Sequence, residues 1–84
     1  MHIFGIDISK ASAVVAHYED ETLVNEFDLL YDSKNLLQFY TYLKCFEDKL
    51  LIFEATGVYS TIIRQFCIDH NIKHVCINPL EAHF

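Results

Sequence analysis

Hydrophobic and polar positions divide the chain into two regimes. In the first, His2-Ile3-Phe4-Gly5-Ile6-Asp7-Ile8 is an almost continuous apolar run and predicts a short strand with both faces covered. Ser9-Lys10-Ala11 reads as a turn, and Ser12 to Tyr18, with Ala13-Val14-Val15-Ala16 at its centre, as a second strand. Glu19-Asp20-Glu21 is an acidic tip. Thr22 to Leu29 follows as a third strand, with Leu23, Asn25 and Phe27 expected on one face. Three strands joined by tight connections predict an antiparallel meander.

The period then lengthens. Leu36, Phe39, Tyr40, Leu43 and Phe46 fall on one helical stripe behind a cap at Asp32 or Ser33. Leu50 to Phe53 is a fourth strand ending on Glu54. A second helix, expected to be capped by Thr56, carries the stripe Tyr59, Ile62, Ile63, Phe66 and Cys67. Asn71 sits where a left-handed C-cap is wanted. Val75-Cys76-Ile77 is a fifth strand, closed by Asn78-Pro79. The predicted order is βββαβαβ, and its strand–helix–strand units imply parallel pairing with right-handed crossovers. Residues 1–84 thus form one α/β domain with a mixed sheet, or part of one.

Composition narrows the function classes. A chain of 84 residues buries roughly 60–65% of the surface exposed on unfolding, so its core is small. An apolar fraction of 52%, with 14% aromatics, excludes a disordered chain and implies apolar surface meant for a further segment or a partner. The net charge of −6 supplies no basic face of the kind that gives nucleic-acid modules their affinity. Cys45, Cys67 and Cys76 are odd in number and lack C-x-x-C spacing, which points to three reduced, mostly buried thiols in a cytoplasmic protein. No apolar run is long enough to span a membrane, and no secretory signal opens the chain.

The candidate chemistry lies in two acids. In α/β sheets functional side chains gather at the C-terminal ends of strands. Asp7 ends the first strand in an Ile-Asp-Ile context, and Glu54 ends the fourth after Leu51-Ile52-Phe53. If these strands are parallel neighbours, the two carboxylates converge and suit a hard cation, Mg²⁺ or Mn²⁺. The alternative is that Asp7 accepts from turn amides and Glu54 caps the following helix. Ser9 and Lys10 either approach a phosphate or assist the metal site, or are a turn serine and a solvated lysine. Thr56 either touches substrate or, with Gly57, shapes the turn that aims Glu54. Tyr59 belongs to the core stripe or stacks on a base. His2, His17, His70, His74 and His83 show no metal-ligand spacing and read as surface or structural positions.

Three blocks carry a resemblance. Gly5-Ile6-Asp7-Ile8-Ser9-Lys10 resembles the Gly-Ile-Asp-Val-Ser-Lys opening of the DEDD-type insertion-sequence transposases, which are bridge-RNA-guided recombinases in the members best understood. Phe53-Glu54-Ala55-Thr56-Gly57-Val58-Tyr59 is similar to their Glu-Ala-Thr-Gly-Val-Tyr block, and Val75-Cys76-Ile77-Asn78-Pro79-Leu80 to the Val-Asn-Pro segment that follows. Together they span the chain in the family's order. The resemblance implies an RNase H-like (RuvC-like) sheet, with Asp7 and Glu54 as the first two acids of a catalytic tetrad holding Mg²⁺ or Mn²⁺. It further implies DNA as substrate, a guide RNA for the full-length protein, and a homo-oligomer. The family's other two acids lie in an Asp-x-x-Asp pattern on a later helix, and its nucleophilic serine in a later domain. The chain reaches Phe84 without either, and Glu81 does not match that pattern. The expectation is therefore a domain truncated before its last catalytic helix and inactive alone. Other expectations are a non-catalytic RNase H-like assembly module and a Holliday-junction resolvase relative. An actin-like ATPase needs a glycine-rich phosphate loop, and Ser9-Lys10-Ala11-Ser12 has no glycine.

Overall fold

A computed structural model describes residues 1–78; the expected closing Pro79, the end of the third resemblance block, Glu81 and His83 lie outside them. The elements are β1 (His2–Ile8), β2 (Ala13–Glu19), β3 (Thr22–Leu29), α1 (Ser33–Leu43), β4 (Lys49–Glu54), α2 (Tyr59–Asp69) and β5 (His74–Ile77). The expected order is present, with most boundaries moved by a residue or two; α1 ends at Leu43, so Phe46 of the expected stripe lies beyond the helix. The five strands form one mixed sheet in the order β3-β2-β1-β4-β5. β1, β2 and β3 pair antiparallel, whereas β1–β4 and β4–β5 are parallel.

Alternation along the strands sends Phe4 and Ile6, Ala13 and Val15, Leu29, and Leu51 and Phe53 to one face, where all are buried. Both helices cover that face. Phe39 and Leu43 of α1 and Ile63, Phe66 and Cys67 of α2 complete the core, and the Phe39 and Phe66 rings stack at 5.5 Å. The opposite face carries Ile3, Gly5, Val14, Ala16 and Ile52, none of them buried, with Val75 and Ile77 at 45% and 37% exposure. Part of the apolar excess expected from composition thus lies on the side of the sheet that neither helix covers, and part on the helices and their approaches, where Leu37, Val58 and Ile68 are exposed.

Local chemistry accounts for the element ends. Asp32 caps α1, its carboxylate accepting from the Asn35 N–H at 2.9 Å. α2 ends in a Schellman turn: Asn71 is left-handed at φ 54°, its N–H donates to Ile68 O, and Ile72 N–H donates to Cys67 O at 2.8 Å. Asp20, also left-handed at φ 55°, turns the β2–β3 hairpin at the exposed acidic tip. A bulge between His17 and Tyr18 shifts the hairpin register, so Leu23 sits opposite Tyr18 and is 49% exposed rather than sharing the core face with Phe27.

Two expectations are corrected. Thr56 does not cap α2: Gly57 takes a left-handed φ of 63°, the helix starts at Tyr59, and its N-cap Val58 has no side-chain cap bond. Of the thiols, only Cys67 is buried; Cys45 is exposed, because it follows α1 in a turn, and Cys76 is half-buried.

His17 is structural in the strictest sense. At 2% exposure it stacks on Phe4 at 4.2 Å and occupies the core-facing register after Ala13 and Val15. Its Nε2 lies 2.9 Å from His2 Nδ1, and its Nδ1 lies 2.5 Å from the Tyr42 hydroxyl, which also accepts from Asn25. Both ring nitrogens are therefore partnered, which makes a buried imidazole affordable in an apolar core.

Candidate functional site

Parallel pairing sets Ile6 of β1 opposite Phe53 of β4, so the next residues, Asp7 and Glu54, leave neighbouring strands side by side. Adjacent strands run about 4.8 Å apart. Alternation turns both carboxylates away from the helix-covered core, onto the open face, and both are exposed. They line one shallow concavity whose floor is Gly5, Val14, Ala16 and Ile52 and whose rim includes Thr56 and Ile77. A Cβ on Gly5 would meet nothing within 4 Å, so the missing side chain leaves this floor low.

Among the described residues, neither carboxylate does structural work: neither accepts a hydrogen bond or forms an ion pair, which removes the turn-bonding and helix-capping alternatives for Asp7 and Glu54. The turn after Asp7 closes without it: Ser9 N–H and Ser9 Oγ both donate to Ser12 O, at 3.2 and 2.6 Å. The loop after Glu54 is held by backbone, with Ala55 N–H donating to Ile77 O at 2.7 Å and Thr56 N–H to Glu54 O at 3.0 Å. Gly57 then makes the left-handed turn into α2. The Ser9 hydroxyl serves the turn, Lys10 is exposed beside it, and Thr56 is exposed on the rim of the concavity.

The sheet brings further acids to the same face. Asp7 pairs with Val14, and Val14 with Asp28, so Asp28, Asp7 and Glu54 share one cross-sheet row. Glu26, opposite Ala16, lines the concavity itself. Sequence inspection passed over Glu26 and Asp28 because they looked like the solvated alternates of β3. The signal was their alternation with Phe27 and Leu29, read through the meander onto β1.

Asp7 and Glu54 supply hard oxygen donors from two rigid strands, which fits a divalent cation. Among the described residues, no three His, Cys, Asp or Glu side chains converge as a metal-holding group. A cation held by two carboxylates fills its remaining positions with water and binds weakly.

Tyr31, a residue without an assigned role from sequence, reaches this end of the molecule from the β3–α1 junction. Its hydroxyl donates to Ser9 O at 2.5 Å, and its ring stacks on Tyr59 with centroids 5.1 Å apart. Tyr59 therefore packs in the fold rather than standing free. No helix among the described residues is long and apolar enough to cross a membrane. No protein-family model matches the chain, and no curated protein matches it.

Proposed function

We propose that this chain is a nuclease-fold module of a DNA transposase, RNase H-like in its sheet, in which Asp7 and Glu54 contribute the first two ligands of a divalent-metal centre. One observation carries this: two acids on parallel neighbouring strands emerge together at the strand ends, with no structural partner among the described residues. Three sequence blocks resembling one transposase family, with two of them supplying those acids, support the same assignment.

The roles divide as follows. Asp7 and Glu54 would hold Mg²⁺ or Mn²⁺, which in a complete two-metal site would supply Lewis-acid chemistry for phosphodiester cleavage. The rigid pairing of β1 with β4 fixes the separation of the two strands before any ligand arrives. Glu26 and Asp28 on the same face, and the net charge of −6, repel a phosphate backbone. DNA approach to this face therefore needs bound cations and basic groups from outside residues 1–78. Ser9, Lys10 and Thr56 lie next to the acids in sequence, and Thr56 borders the concavity a substrate backbone would enter.

A second reading has its own support. The uncovered apolar face, with Val75 and Ile77 exposed, suits a non-catalytic RNase H-like module used for assembly. Titration calorimetry with Mn²⁺ on the wild type, Asp7→Asn and Glu54→Gln separates the two. Millimolar binding lost in both variants supports the metal centre. Binding unchanged by either substitution rejects it and leaves assembly.

A further inference from the structure

The turn behind Asp7 and the helix that follows the Glu54 loop belong to different parts of the chain, yet one side chain touches both. Tyr31 sits between Leu29, buried at the end of β3, and Asp32, the cap of α1, so its backbone is anchored on both sides. Its hydroxyl donates to the carbonyl of Ser9, two residues beyond Asp7. Its ring lies nearly parallel to that of Tyr59, at 22°, and Tyr59 is the first residue of α2, five beyond Glu54. Among the described residues, the two acids themselves have no partners that would fix the segments following them.

We propose that Tyr31 is a positioning residue: through the Ser9 carbonyl and the Tyr59 ring it clamps the two segments that follow Asp7 and Glu54, and so holds the carboxylates at the spacing a divalent cation requires. This rests on the metal-centre reading above. Tyr31 touches no reacting group, because its hydroxyl is committed to Ser9 and its ring to Tyr59. Its action is that of an outer partner which orients ligands without contacting the ion. The sheet pairing sets the strand separation, and the clamp sets the segments leading out of the strands, which is where side-chain aim is otherwise free. Tyr31 and Tyr59 are each half-buried, and Tyr31 packs against the core, as does Ile8 at the end of β1.

Two variants dissect the clamp on the full chain. Tyr31→Phe removes the hydroxyl and keeps the ring; Tyr31→Leu removes both. Amide hydrogen exchange, measured without metal, should quicken at residues 9–12 in both variants. At residues 55–58 it should quicken only in Tyr31→Leu, with the central strands as protected as in the wild type. Mn²⁺ affinity from paramagnetic broadening should fall roughly 10-fold in Tyr31→Leu and less in Tyr31→Phe, the range for lost outer partners. Equal Mn²⁺ affinity in all three proteins overturns the inference and leaves the metal centre standing. If the wild type shows no broadening that depends on Asp7, the metal centre has failed instead. Exchange then decides the clamp alone: unchanged rates at residues 55–58 in Tyr31→Leu overturn it.

Discussion

Asp7 and Glu54 are neighbours across parallel strands, one residue past the Ile6–Phe53 pair, and both face away from the core. Two like charges so placed repel each other and have no compensating partner among the described residues. Neutralising either should therefore relieve the fold rather than harm it. Asp7→Asn and Glu54→Gln are expected to melt at or above the wild-type temperature in low salt, with the gain shrinking as salt is raised. A marked loss in thermal melts of either variant would assign that carboxylate a structural role.

His17 gives the fold a dependence on acid. Burial, reinforced by the adjacent His2 and opposed by Glu19, pushes the His17 imidazole below its ordinary 6.5. The folded chain then binds fewer protons there than the unfolded chain, so this contribution is complete above pH 6.5 and is lost as pH falls below it. Geometry agrees, because only one proton fits between the His2 and His17 nitrogens at 2.9 Å. Urea midpoints taken from pH 7.5 to 5 should decline in the wild type, and decline less steeply in His17→Gln.

The three thiols should differ sharply in reactivity. Burial, with Cys76 nearby, pushes the Cys67 thiol up to about 12. Cys67 should resist alkylation at pH 8 until the chain unfolds, whereas the exposed Cys45 reacts in the native state. Mass spectrometry of iodoacetamide-treated protein, native and in urea, reads this directly.

Asn71 carries the left-handed turn that ends α2. Asn71→Gly should hold or slightly raise stability, whereas Asn71→Ala should cost about 1 kcal/mol, since a Cβ without a local hydrogen bond disfavours this conformation. In a chain of this size that is a fall of about 4–8 °C in Tm.

How much of this was legible in the sequence follows from the range of each interaction. Strand and helix types showed in the change of period between Phe27 and Leu36, and the Asn71 cap in a residue that tolerates positive φ. The pairing of Asp7 with Glu54 was conditional on β1 and β4 being parallel neighbours, which the structure supplies. Thr56 misled as a helix cap because Gly57 interposes a left-handed turn that residue preferences do not weigh. His17 was a core position by alternation with Ala13 and Val15; its polarity hid it, and its partners His2 and Tyr42 come from other elements. Tyr31 could not be found from its own neighbourhood, because Ser9 and Tyr59 lie 22 and 28 residues away.

The most direct measurement is a Mn²⁺ titration of the ¹⁵N-labelled chain followed by NMR, run beside Asp7→Asn. Broadening confined to the ends of β1 and β4 around Asp7 and Glu54, and abolished by the substitution, is the expected result. Broadening centred on the acidic hairpin tip at Glu19, Asp20 and Glu21, or persisting at the strand ends in Asp7→Asn, would contradict a metal centre built on this pair.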